Sequence, residues 1–296
     1  MHENDGLAGR FEAHRAHLRG VAYRMLGSLA EAEDAVQEAW FRLSRADTGD
    51  IDNLGGWLTT VVARVCLDLL RAREARREEP QGVGVPEPLV NREGGAATPE
   101  QEALLADQVG LALLVVLDTL SPAERIAFVL HDLFSVPFEE VAAIVGREPA
   151  AARQLASRAR RRVQGAATLP ESELTRQRSA VNAFLMALRA GDLDALLAVL
   201  DPEVVLRGDR AALAPGAPAE IRGARTAGPL VLKVSRGAVA ARPALVNGEV
   251  GLIVAPGGRL SHTLRFTLKD GRISRIDVVA EPASLRALEL SVLDVG

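Results

Sequence analysis

Cysteine is almost absent from this chain: Cys66 is the only one in 296 residues. No internal disulfide can form, and neither a cysteine-rich zinc site nor a paired-cysteine redox centre is available. Aromatic residues are scarce, at 3%, so the cores must be built from Leu, Val, Ala and Ile, which suits helices. Lysine is nearly missing too: Lys233 and Lys269 are the only two, and Arg carries the rest of the positive charge. No apolar run approaches membrane-spanning length, and the N-terminal MHENDGLAGRFEAHR lacks the apolar core of a signal peptide. The expectation is a soluble cytoplasmic protein with no membrane partner. A net charge of −4 excludes a nucleic-acid footprint spread over the whole surface. If DNA is bound, the basic charge must be local.

What is present suits two or three small domains. Hydrophobic residues at 48% and charged residues at 25% let each piece bury a core. Residues 1–79 read as a helical module. Residues 80–101 are rich in Pro and Gly without a period, which predicts a linker. A second helical module follows over 102–165, then a short linker over 164–174 and a third module over 175–296. In the third, two helical stretches give way to β patterns, with Asn247-Gly248 and Asp270-Gly271 as hairpin signals.

In the first module, Ser28-Leu29-Ala30-Glu31 is a capping-box pattern that opens a helix. Ala32, Ala35, Val36, Ala39, Trp40 and Leu43 then recur at helical spacing as a buried stripe. The opposite face carries Glu31, Asp34, Glu38, Phe41 and Arg45. An aromatic among exposed acids is either an anchor for a partner or a cover for a neighbouring loop. A longer helix over 53–77 takes Leu58, Val61, Val62, Val65 and Leu69 as its core stripe, with Thr60, Arg64, Leu67 and Arg71 on the far side. It ends in Arg71, Arg73, Arg76 and Arg77. Those cations either complement the helix dipole or track phosphates.

The second module is more specific. Phe138–Val145 predicts a short amphipathic helix with acids in its first turn, Gly146-Arg147-Glu148 a tight turn, and Pro149 a first helical residue. The next helix has Ala152, Leu155, Ala156, Ala159 and Val163 as its inner face. Its outer face carries Arg153, Gln154, Ser157, Arg158 and Arg161, flanked by Arg160 and Arg162. Five arginines and no acid between 149 and 163 supply the local charge that the whole chain lacks. Helix, glycine turn and Arg-rich helix form the helix-turn-helix layout. Arg can bond guanine edges and Gln adenine, while other arginines hold phosphates. The competing reading is a helical hairpin with a solvated basic face.

Together these stretches resemble regions 2 and 4 of the sigma-70 family of RNA polymerase sigma factors, over roughly residues 8–165. AEDAVQEAW at 32–40 and GWLTTVVARVCLDLLRAR at 56–73 look like region 2, and 117–163 looks like region 4. No region 3 lies between them, as in the extracytoplasmic-function subgroup. VPEPL at 85–89, ARQLASRAR at 152–160, AGDLDALLAVLDPEVVLRGD at 190–209 and LVNGEVG at 245–251 are similar to the SigJ-like branch, which adds a C-terminal SnoaL-like domain. Two stretches depart from that branch, RGDRAALAPG at 207–216 and AEPASLRAL at 280–288, and the contacts of the missing motifs are not carried over.

The resemblance implies a multidomain fold: all-α region 2 and region 4 modules, then an α+β SnoaL-like cone. It implies docking of the helix at 31–45 on the β′ clamp helices of core RNA polymerase through Asp34, Gln37, Glu38 and Phe41. Region 4 would meet the β flap. Asn53, Thr60, Arg64 and Arg71 would read the −10 element of promoter DNA, and Arg153, Gln154, Ser157, Arg158 and Arg161 the −35 element. Polymerase performs the chemistry, so no catalytic group, metal or cofactor is expected. The alternative for the whole chain is a ligand-responsive DNA-binding regulator that acts without polymerase. SnoaL-like relatives include enzymes, and the cone offers Asp209, His262, Arg265 and Asp277 for such work. A small ligand in that domain stays open as a further partner. The expected role of the cone is control in cis, by gripping the linker at Pro86, Glu87 and Pro88.

Overall fold

The structure, a computed structural model, describes residues 2–46, 51–78, 110–212, 218–234 and 240–293. The linker expectation for Pro86, Glu87 and Pro88 falls outside these residues. The chain forms two compact units. One comprises Met1–Gln108 and Leu120–Arg160, the other Val109–Thr119 and Arg161–Gly296. Among the described residues no helix is long and apolar enough to cross a membrane.

The first unit is helical. Helix α1 (His2–Leu26) packs against α2 (Leu29–Leu43) and α3 (Leu54–Glu78). Gly27 ends α1 in the left-handed region, at φ 72°, where a Cβ would be strained. Ser28 caps α2, its Oγ accepting from the Glu31 amide at 3.4 Å. The reciprocal half of the expected capping box is absent, because the Glu31 carboxylate is paired with Arg73 of α3. The core holds Leu18, Met25, Val36, Leu43, Leu58 and Cys66, all sealed from solvent.

The α3 stripe differs from the sequence expectation. Leu58, Val62, Ala63, Cys66, Leu67 and Leu70 are buried, whereas Val61, Val65 and Leu69 are only half-buried. Leu67, expected on the far side, is 2% exposed. The cause is a second set of neighbours. Beyond α4 (Leu111–Asp118), which belongs to the other unit, come α5 (Pro122–Phe128), a π-helical turn (Val129–Leu133), α6 (Phe138–Val145) and α7 (Pro149–Gln164). Helix α3 packs against α5 and α6 as well as α1 and α2, so its buried sector is wider than one neighbour requires. Arg125 seals this packing: it is 4% exposed and donates from Nη1 to the Met25 carbonyl at 2.9 Å. The Phe134 ring lies 5.2 Å from the His17 ring, edge-on, and 5.2 Å from the Arg24 guanidinium.

The second unit is an α+β body. Helices α8 (Glu171–Ala190), α9 (Leu193–Val199) and α10 (Ala224–Val234) join a seven-stranded sheet in one core. The strands are β1 (Leu200–Gly208), β2 (Glu220–Arg222), β3 (Ala241–Val246), β4 (Glu249–Val254), β5 (His262–Lys269), β6 (Arg272–Val279) and β7 (Leu290–Ser291). Their spatial order is β2-β1-β6-β5-β4-β3-β7, and among the described strands only β1 and β6 run parallel. Phe184 meets Phe266 edge-on at 5.1 Å at the centre of that core. Both expected hairpin turns form. Asn247 and Gly248 have φ 53° and 79°, and Asp270 and Gly271 have φ 51° and 80°, as a two-residue turn with positive φ at both positions demands. A short helix α11 (Pro282–Arg286) precedes β7. Ala244, Val246 and Ile253 are buried without joining the helix-side core, and α4 packs on β3 and β7. The last turn of α7 is tied to the same edge, the Val292 amide donating to the Val163 carbonyl at 2.9 Å.

Candidate nucleic-acid and partner interfaces

Helix α7 follows its expected register. Ala152, Ala156, Ala159 and Val163 are fully buried, and Leu155 is partly so. Arg153, Gln154, Ser157, Arg158 and Arg161 are all exposed. The turn before it also forms as expected, with Gly146 left-handed at φ 70° and α7 opening at Pro149. Small inner residues let α7 lie close on its neighbours, and the arginines then project from one side. Arg153 and Arg160 each engage an acid of a preceding element. Arg153 bonds Glu139 at 3.2 Å. Arg160 bonds Asp132 through Nε at 2.6 Å, which turns it from the outer face toward the π-helical turn. Sequence reading did not single out Glu139 individually or Asp132; the acids in the first turn of α6 were the signal for the former.

The −10 candidates divide. Arg64 and Arg71 are exposed on α3, and Thr60 is half-buried beside them. Asn53 is exposed, but its Oδ1 accepts from the Gly56 amide at 3.0 Å. It therefore caps α3, which engages part of its side chain locally. Arg73, one of the expected phosphate-tracking cations, is instead internal. It donates to the Leu26 carbonyl at 3.1 Å and pairs with Glu31, locking α3 to the start of α2.

On α2, Asp34 and Gln37 are exposed, and Phe41 is exposed by 46%. Glu38 is half-buried and pairs with Arg42 one turn on, at 2.9 Å. Glu31, expected on this face, is withdrawn from it by Arg73. Beside Gln37 a cleft of about 290 Å³ lies between α1 and α2, lined by Phe11, Arg15, Val36 and Trp40. An exposed ring, flanking acids and an adjoining cleft suit a protein partner with apolar and basic side chains.

In the α+β unit the four polar candidates lie on β5 and β6 or at the end of β1. The Asp209 carboxylate accepts amides of Ala212, Ala280 and Glu281 at 2.8–2.9 Å. Burial opposes its ionisation, but these amides and that of Ala211 outweigh burial and hold the carboxyl below its usual range. A base so saturated is a structural clamp between the β1 end and the β6 exit. His262 is half-buried, with Nδ1 3.1 Å from Ser261 Oγ, and burial lowers its pKa. Arg265 and Asp277 are register partners across β5 and β6.

Comparison with known proteins follows the same division. Residues 10–76 match the family model for sigma-70 region 2, and residues 110–163 that for sigma-70 region 4. The chain is 42% identical over 286 residues to the ECF RNA polymerase sigma factor SigJ of Mycobacterium tuberculosis, covering 92% of this chain and 91% of that one. It is 36% identical over 294 residues to the "Probable ECF RNA polymerase sigma factor SigI" of the same organism, covering 97% and 98%. The crystal structure of SigJ from M. tuberculosis matches at 40% identity, covering 93% of this chain and 96% of that one, with a TM-score of 0.45.

Proposed function

Because the chain belongs to the extracytoplasmic-function sigma factors of RNA polymerase, we propose that α7 reads the −35 element, α3 the −10 element, and the Phe41 face of α2 binds the β′ clamp helices. Family membership carries the coarser statement, that the protein binds core polymerase and promoter DNA to start transcription. The observation that supports the finer one is the division of α7, with aliphatic side chains buried and Arg153, Gln154, Ser157, Arg158 and Arg161 exposed. Residues 1–79 and 102–165 act as the two promoter-reading modules, the latter also meeting the β flap, and residues 175–296 as a SnoaL-like control domain. The chain supplies binding energy and strand separation, while polymerase supplies the chemistry. Asp209 favours that division of labour, since its oxygens are already taken by backbone amides.

Control in cis has its own support. Helix α4 lies within the region 4 match, yet it packs on β3 and β7 of the sheet. The Val163–Val292 bond ties the end of α7 to the same edge. The C-terminal domain thus holds two parts of the −35 reader. Run-off transcription with core polymerase tests both statements. The quintuple alanine variant of the α7 outer face, still folded, should lose promoter-directed transcripts. A chain ending at residue 288, without β7, should change transcript yield although every DNA-facing residue remains. Equal yield from both chains across several promoters would refute control by this edge.

A further inference from the structure

Arg153, at the start of the α7 outer face, is held from the side by the preceding helix. Its guanidinium carbon lies 5.5 Å from the centroid of the Phe138 ring, and Nη2 donates to Glu139 Oε1 at 3.2 Å. The Phe138 ring in turn stacks on the His131 imidazole, 3.7 Å between centroids and inclined by 27°. That imidazole is fixed by a 3.0 Å contact from Nδ1 to the Val136 carbonyl. His131 sits in the π-helical turn Val129–Leu133, an irregularity frequent at functional sites. Two side chains of α6, Phe138 and Glu139, therefore meet one guanidinium, and His131 of the π-helical turn backs the ring.

These contacts add little to stability. The ion pair is exposed at both ends, by 56% and 67%, and exposed pairs contribute little. Their effect is on direction and on charge. A guanidinium presents five N–H donors in a rigid plane. Glu139 engages one of them, and the others remain for an incoming base edge. A carboxylate beside the arginine also weakens its pull on any phosphate, the part of DNA binding that ignores sequence. It leaves the planar fork intact, the part that reads sequence. Solvent-exposed Glu139 further repels phosphates itself.

We infer that Phe138 and Glu139 are positioning residues that aim Arg153 at a base edge and exchange sequence-independent affinity for discrimination at one base pair. The inference rests on α7 reading the −35 element. The experiment uses the full chain with core polymerase and a set of promoter duplexes carrying single base-pair changes across that element, at two salt concentrations. Arg153→Ala first identifies the base pair whose preference is lost. Glu139→Gln should bind all duplexes more tightly, steepen the salt dependence by about one phosphate, and lower the preference at that same pair by roughly fivefold or more. Phe138→Leu should lower the preference there and leave the other positions alone, and Phe138→Tyr should restore it. None of the three variants should change base preference in an Arg153→Ala background. If Arg153→Ala loses a preference that Glu139→Gln and Phe138→Leu both keep, this inference fails and the reading of α7 stands. If Arg153→Ala loses none, the reading of α7 at this residue fails and the inference with it. An even loss at every position in Phe138→Leu, with a lower melting temperature, would make the ring structural and overturn its positioning role.

Discussion

Phe41 exposes 46% of its surface on a helix where Val36 and Leu43 are sealed. An exposed ring contributes little to folding, so the proposed docking role predicts a loss in binding and not in stability. Phe41→Ala should weaken core polymerase binding by about 1–2 kcal/mol, measured by titration, and leave the melting temperature nearly unchanged. Val36→Asp should unfold the module, because it buries a charge without a partner. A lower melting temperature in Phe41→Ala with unchanged polymerase affinity would make the ring structural. Asp209 gives the converse case, a polar side chain that serves folding. Its folded pKa lies below the usual carboxylate value of about 3.9, so its contribution is present above that pH and is lost as pH falls through the folded value. Asp209→Asn should cost about 1–2 kcal/mol at neutral pH. In urea titrations the gap between parent and variant should close below about pH 4; a gap unchanged at acid pH would mean that ionisation is irrelevant.

At the scale of the element, legibility tracked the number of neighbours a helix must satisfy. The register of α7 was readable because small and aliphatic residues mark one seam, and the structure buries Ala152, Ala156, Ala159 and Val163 along it. Both Asn-Gly and Asp-Gly hairpins were readable because their geometry is local. Helix α3 was misread at Leu67 because it packs on helices from both helical modules, and no period in a single segment reports a second partner. The pairing of Arg73 with Glu31 is not legible for a related reason: it spans 42 residues, whereas the dipole and capping rules are local. The placement of α4 on the sheet was likewise hidden, since its run of Leu and Val fits any apolar neighbour. The part of α7 that was legible carries its own prediction. Replacing Gln154 or Arg158 with Ala should cost about 1–3 kcal/mol at one base pair if that side chain reads an edge. Binding measured across a promoter series would show the loss at that pair only. A uniform loss would assign the side chain to phosphate instead.

For the whole molecule, the decisive fact is that the helices of region 2 and most of region 4 share one compact unit. A body the size of its described part, about 115 residues, has a radius of gyration near 13 Å and is roughly 35 Å across. Two promoter elements about 25 base pairs apart are separated by about 85 Å along straight B-DNA. If α3 and α7 read the −10 and −35 elements as proposed, the two cannot engage one promoter until the contacts between them part. Those contacts include the packing of α3 on α5 and α6, Arg125 on the Met25 carbonyl, and Phe134 against His17 and Arg24. His17 makes the second of them sensitive to pH. Burial first, then the neighbouring His14 and Arg24, lower its pKa below the ordinary value. A histidine with a depressed folded pKa stabilises the packed form above about pH 6.5, and the contribution is lost as pH falls through the folded value. Acid should therefore loosen region 2 from region 4, because a protonated imidazole beside Arg24 adds a second cation to the Phe134 contact. Energy transfer between dyes at positions 34 and 154 of the full chain should fall between pH 7.5 and pH 5 and recover on neutralisation. His17→Gln, which cannot take up the proton, should flatten that response, while Phe134→Ala should lower the transfer at every pH. A response of equal size in His17→Gln would place the acid sensitivity elsewhere, and unchanged transfer in Phe134→Ala would mean that this ring does not hold the two modules together.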